Sequence, residues 1–166
     1  MPILVTEGEN CMSIPVRLPK GAATLLTKGQ QAAIEAFYSA LGTHDMDLLD
    51  VALLPDWEDI PMSPGQAPGP NGLKPILLGL ISALPDLAIE IREAIAAPNR
   101  VAIRAVATAT HGGELFGIPA TGRRVVFSLH EFHEFDGDRI RRTWHMEDLF
   151  GLFTQIGQWP PMHNGH

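Results

Sequence analysis

A chain of 166 residues with 45% hydrophobic and 19% charged side chains has the composition of one globular domain with a sizeable core. Its net charge of −7, with no basic cluster, carries no electrostatic footprint for nucleic acid or an anionic membrane. Cys11 is the only cysteine, which excludes an internal disulfide and any multi-thiolate metal site.

No apolar run reaches the ~18 residues of a membrane span. The first residues also lack the charged-then-apolar pattern of a signal peptide, so a cytoplasmic protein is expected. Residues 1–22 contain prolines and no helical period, and read as an arm or a partner-contacting strand. A single domain is expected over 23–158, with a tail at 159–166. In the first helix, Thr27 and Gln30 have capping-box spacing. Ile34, Phe37, Tyr38 and Leu41 recur on one face, and Gly42 is the expected stop. A short second helix over 44–53 places Met46, Leu49 and Leu53 on one side.

PDWEDIP (55–61) reads as an extended piece between prolines. SPGQAPGPNG (63–72) is a loop, and a rim or lid of any pocket. Asn71 is the expected cap of a third helix that Pro85 closes, with Pro75 tolerated in its first turn. From residue 87 the period becomes two. Leu87, Ile89 and Ile91 alternate inward, as do Val101, Ile103, Ala105, Ala107 and Ala109, ending at His111. GGELFGIPATGRR leads to VVFSLHEFHEF, DGD turns the chain, and RIRRTWHMED runs back. DLFGLFTQIG (148–157) is a last short helix. Helices followed by an antiparallel meander indicate α+β.

HEFHEF (130–135) looks like a zinc site but lies on a strand, where His130 and His133 diverge, so no metal is expected. Extending the alternation through the turn puts Val125, Phe127, Leu129, Glu131, His133 and Phe135 inward. On the returning strand it puts Ile140, Arg142, Trp144, Met146 and Asp148 inward. Charged groups on an apolar face need partners or a wet pocket. A Glu131–Arg142 cross-strand ion pair is therefore expected. His133 reads as a hydrogen-bonded wall residue or a functional one, and Asp148 as a helix cap. His130 and His145 face outward, to the surface or to another subunit.

The stretch from Gly113 to Gly157 resembles the C-terminal half of SnoaL-like polyketide cyclases, also called ester cyclases. The matching positions are His111, Gly113, Gly117, Pro119, Thr121, Gly122 and Arg123, then Phe135, Ile140, Trp144, Asp148, Leu149, Gly151, Leu152, Gln155 and Gly157. DW..IP (56–61) and LPDL (84–87) agree upstream, and the resemblance covers roughly 28–158. It implies a cone-shaped nuclear transport factor 2-like fold. Three N-terminal helices would pack on a curved, mostly antiparallel sheet around an apolar pocket, with a short C-terminal helix and a homodimer through the outer sheet face. It also implies aldol ring closure without metal or cofactor, with Asp148 as general base and acid. An apolar pocket would strengthen that carboxylate as a base. His133, the Trp57 indole N–H and Arg142 would steady the enolate. Arg142 stands where the family often has an acid, Ala105 where it often has an aromatic, and Ile60 where His is frequent. These departures bear on substrate.

Three functions compete on this sequence. One is an enzyme transferring a proton in a small to medium apolar carbonyl compound through Asp148 and His133. The second is a non-catalytic protein that holds an apolar ligand among Trp57, Phe116, Phe127 and Trp144. The third is another enzyme of the fold, such as an isomerase or epoxide hydrolase, with Glu131, His133 and Asp148 positioning a water. No phosphate-binding loop and no Gly-x-Ser-x-Gly elbow is present.

Overall fold

The computed structural model describes residues 16–19 and 25–158. Most of the expected arm and the tail from 159 lie outside the described residues. Residues 16–19 lie along the first helix. Val16 is buried, and its N–H donates to Ser39 Oγ at 3.0 Å.

Helix α1 (Lys28–Thr43) starts as its sequence dictates. Thr27 Oγ1 accepts from the Gln30 N–H, and the Gln30 side chain accepts from the Thr27 N–H. It runs one residue past Gly42 and stops at His44, which takes the left-handed conformation. Helix α2 is shorter than expected, Leu48–Ala52. Helix α3 spans Pro70–Ala83, so Asn71 lies inside it and the cap position is Gly69, at φ 75°. Pro70 occupies the first turn, where its missing N–H costs nothing. Pro75 therefore sits deeper in the helix than expected.

The five strands are β1 (Leu53–Ile60), β2 (Ala88–Ala97), β3 (Arg100–Thr110), β4 (Arg124–Asp136) and β5 (Arg139–Glu147). They form one sheet in the order β1-β5-β4-β3-β2. β1 runs parallel to β5, and the other pairs are antiparallel. Pro55 is compatible with β1 because β1 is an edge strand. Helix α4 (Leu149–Gln155) follows β5 directly. The alternation read for β3 and β4 holds: Val101, Ile103, Ala105, Ala107 and Ala109 are buried, as are Val125, Phe127, Leu129 and Phe135.

The β4–β5 turn has Gly137 at φ 60° as its first central residue, with Asp136 paired to Arg139. One residue later the register slips. Phe135 pairs with Ile140 but Glu134 pairs with Arg142, so Arg141 is an extra residue. A β-bulge of this kind reverses which face the following side chains take. The inward assignment of Arg142, Trp144 and Met146 is therefore corrected. Thr143, His145 and Glu147 point inward instead, in register with His133, Glu131 and Leu129.

Candidate functional site

Between the helices and the inner sheet face lies a cavity of about 560 Å³. Its wall is mostly apolar, with Phe37 and Leu41 from α1, Ile76 and Leu80 from α3, and Ile89, Ala107, Phe127 and Leu129 from the sheet. Ser63 and Pro64 of the expected rim loop line it, as do Glu114, Leu115 and Phe116 of the loop after β3.

One wall carries a chain of buried hydrogen bonds. Trp57 Nε1–H can only donate, and it does so to Thr143 Oγ1 at 3.0 Å. The Thr143 hydroxyl then donates to His133 Nδ1, also 3.0 Å away. That assignment leaves the proton of His133 on Nε2, which reaches the Tyr38 oxygen at 3.0 Å. The Tyr38 hydroxyl donates to Glu131 Oε2. Every donor thus points toward one carboxylate. Burial, followed by the Glu131 charge, pushes the Tyr38 phenol well above its ordinary pKa, so it remains a proton-bearing donor. Glu131 is 6% exposed, lines the cavity, and has no Lys or Arg beside it.

A second polar group lies along β5. His145 Nδ1 is 2.8 Å from Glu147 Oε1, and Nε2 is 2.8 Å from the Pro61 carbonyl and 3.2 Å from Asp59 Oδ1. The hydrogen bond to Asp59, then the one to Glu147, outweighs burial and pushes His145 up to about 11. It is an imidazolium at neutral pH with both N–H groups engaged. Gln66 holds the other Asp59 oxygen at 2.7 Å.

The site residues expected from sequence divide clearly. Trp57, Phe116, Phe127 and Glu131 line the cavity. His133 is 1% exposed and stands behind the wall, bonded on both nitrogens. Arg142 and Trp144 are on the outer face, where the guanidinium lies 5.3 Å from the indole centroid. The Glu131–Arg142 ion pair does not form, because the bulge puts the two on opposite faces. Arg142 instead grips Glu58 through Nε (2.9 Å) and Nη2 (2.8 Å), with Glu134 at 3.6 Å. The Trp57 N–H is spent on Thr143 rather than open to a ligand. Asp148 is exposed and does not line the cavity; its Oδ1 caps α4 by accepting from the Gly151 N–H at 2.8 Å.

Tyr38, Asp59, Thr143, His145 and Glu147 were not read as site residues. For Tyr38 a signal existed. It is the chain's only tyrosine and sits on an apolar helix face, where a hydroxyl requires a partner. For the β5 residues nothing in the pattern marks the bulge beyond the Arg141–Arg142 doublet, which sends two successive side chains to solvent.

Comparison with known proteins fits this architecture. The sequence profile of the SnoaL-like polyketide cyclase family matches residues 31–156. The chain belongs to that family. Among solved structures, TsrD from Streptomyces laurentii is 26% identical, with a TM-score of 0.73 over 80% of this chain and 98% of that one. IdmH from Streptomyces antibioticus, a polyketide cyclase candidate, is 26% identical, with a TM-score of 0.67 over 75% and 96%. AclR from Streptomyces galilaeus, a candidate hydroxylase, is 27% identical, with a TM-score of 0.69 over 79% and 82%. No curated protein matches. The α+β, nuclear transport factor 2-like architecture expected from the sequence is the one observed: four helices and an open five-stranded sheet among the described residues. Among the described residues no helix is long and apolar enough to cross a membrane, and no cluster of three potential ligands could hold a metal ion.

Proposed function

We propose that this SnoaL-like protein transfers a proton at carbon in an uncharged, largely apolar carbonyl compound, as an aldol cyclase or isomerase does, with Glu131 as the acid/base. The observation that carries this reading is the buried Glu131 carboxylate on the cavity wall, held by the Tyr38 hydroxyl, with His133 Nε2 at 3.5 Å and no Lys or Arg beside it. A carboxylate placed at the cavity wall is within reach of a C–H acid bound there and can act as its general base.

The step is simple to balance. Glu131 takes the proton from a carbon flanked by carbonyls, leaving an enolate. The enolate carbon attacks a second carbonyl of the same molecule, and the new alkoxide takes the proton back. Atoms and charge are conserved, and the net change is ring closure. Protonation at the same carbon, or at its vinylogous position, gives an isomerase instead. His145 sits directly across the strand pair from Glu131 and supplies fixed positive charge near the developing oxyanion. His133 touches Tyr38 rather than the cavity, so it is a positioning residue. Asp148 serves as a helix cap in this reading.

The lining also defines a charge class. Four carboxylates (Asp59, Glu114, Glu131, Glu147) face one imidazolium, with no Lys or Arg. Free carboxylate or phosphate groups on a ligand are disfavoured by that field.

The test is α-proton exchange of an aromatic 1,3-diketone in D₂O. Wild-type protein should accelerate it, and Glu131→Gln should lose about 100-fold or more. Asp148→Asn should retain the rate. Exchange lost in Asp148→Asn and kept in Glu131→Gln would return the base to Asp148. Binding of the diketone with no exchange in wild type would favour the non-catalytic ligand-holding alternative. The same reading includes a homodimer through the outer sheet face, supported by Val126, Phe132 and Met146, which are 53%, 60% and 73% exposed there. Sedimentation of wild type and Phe132→Asp at equal concentration checks it, and a monomeric wild type removes it.

A further inference from the structure

Phe116 is the tip of a two-residue turn closed by reciprocal hydrogen bonds between Leu115 and Ile118, each 2.9 Å. Its φ is 51° and that of Gly117 is 79°, the signature of a type I′ turn. Gly, Asn and Asp are the usual occupants of the first position, and an aromatic residue at positive φ is strained. The strain is not offset by burial, because Phe116 is 70% exposed. Yet it lines the cavity, and its ring lies 5.9 Å from that of Phe153.

The turn is firmly based. Leu115 is 4% exposed. The N–H groups of Gly112 and Gly113 both donate to the Ala83 carbonyl at 3.0 Å. A side chain at Gly113 would run into the Ser82 carbonyl. At the other end His111 Nδ1 accepts from the Thr121 N–H at 3.3 Å, and the Gly122 N–H donates to the His111 carbonyl at 2.9 Å. A well-anchored loop thus holds one large apolar ring in a costly conformation, with little packing in return, at the cavity mouth.

We infer that Phe116 is a specificity-determining residue, whose ring covers the outer end of a bound apolar ligand and shuts out water. This rests on the reading of the cavity as a ligand site, but not on Glu131 as its base. The ligand it selects is apolar up to the rim, because a polar end there would lose its hydration against the ring. The carbonyl end then lies inward, on the Glu131 wall.

The experiment pairs affinity with stability, using Nile red, a neutral apolar dye, as probe. Phe116→Asn, which suits positive φ, should raise Tm while weakening Nile red binding about tenfold, as loss of an aromatic contact does. Phe116→Trp should keep wild-type affinity. Unchanged affinity in Phe116→Asn overturns the proposal. A fall in Tm for that variant would make the ring a structural element and overturn it too. Failure of wild type to bind the dye saturably would refute both this inference and the ligand site. A flat diketone-exchange result with intact Phe116-dependent dye binding would refute only the assignment of Glu131.

Discussion

Strands β4 and β5 carry polar clusters on both faces, and the two clusters are built on opposite terms. Inside, Trp57, Thr143, His133, Tyr38 and Glu131 form a linear chain, each less than a tenth exposed. Outside, Arg142 sits between Glu58 and Glu134 with its guanidinium over Trp144, and Glu58 is half exposed. The inner chain is buried and has little solvent to replace a missing partner, whereas the outer cluster is open to water. Polar atoms therefore act as structural commitments on one face and as adjustable surface on the other, although the residue types overlap.

The largest way to disturb this contrast is to exchange the faces. Deleting Arg141 removes the extra residue of the bulge and would drive Arg142, Trp144 and Met146 inward. The deletion variant should show no cooperative thermal transition, since charge and bulk enter a filled wall while Thr143 leaves the chain. A near-native melting curve would mean that register at this point is not set by the bulge.

Next in size is Tyr38→Phe. It leaves the shape intact but strips Glu131 of its donor and the His133 Nε2–H of its acceptor. Denaturant unfolding should show a loss of about 1–3 kcal/mol, typical of a buried group left unsatisfied. By contrast, Arg142→Ala should cost clearly less than Tyr38→Phe even though its bonds are short, because exposed pairs are weak. That loss should shrink further in high salt. Equal costs for the two variants would erase the distinction between the faces.

His145 gives the effect that changes most gradually, with pH rather than with sequence. Its folded pKa of about 11 lies above its ordinary 6.5. A raised pKa stabilises the fold fully below the unfolded value and loses that contribution as pH climbs to the folded one. The stability gap between wild type and His145→Gln should therefore be constant below pH 6.5 and narrow steadily toward pH 11. Chemical denaturation across that range checks it, and a gap that widens with pH contradicts the imidazolium assignment.

Much of this was legible in the sequence because it depends on local rules. The capping box at Thr27, the alternation through β3 and β4 and the Gly turn at 137 are set by nearest neighbours. The inner position of Glu131 and His133 followed from that alternation. What failed was parity beyond the turn. One extra residue, Arg141, inverted β5, because alternation accumulates along a strand and carries no marker where it is reset. Asp148 shows a related limit. Its family position and its capping geometry were both readable, but which way a cap residue faces is fixed by the path of α4 against β4, a tertiary matter. The Pro70 start of α3 was missed for a simpler reason: Asn71 and Pro70 are both good opening residues, and the left-handed Gly69 decided between them.

Strand β1 has one more consequence, in time rather than in space. It brings Trp57 and Asp59 to β5, yet its partners lie 86 residues away for the Trp57–Thr143 bond. The strands β2–β5 pair with their neighbours in chain order, through two short turns and the loop between Thr110 and Arg124, but β1 must wait for the last hairpin strand to exist before it has anything to pair with. Parallel, long-range pairings of this kind close late, because the chain entropy is spent before the contact rewards it. A nascent or partly folded chain would thus hold Glu131 and His133 on a finished sheet, with the Trp57 end of the hydrogen-bond chain and the Asp59 end of the imidazolium pair still missing. The cavity wall is therefore complete only once β1 has docked: until then Thr143 lacks its Trp57 donor and His145 its Asp59 partner.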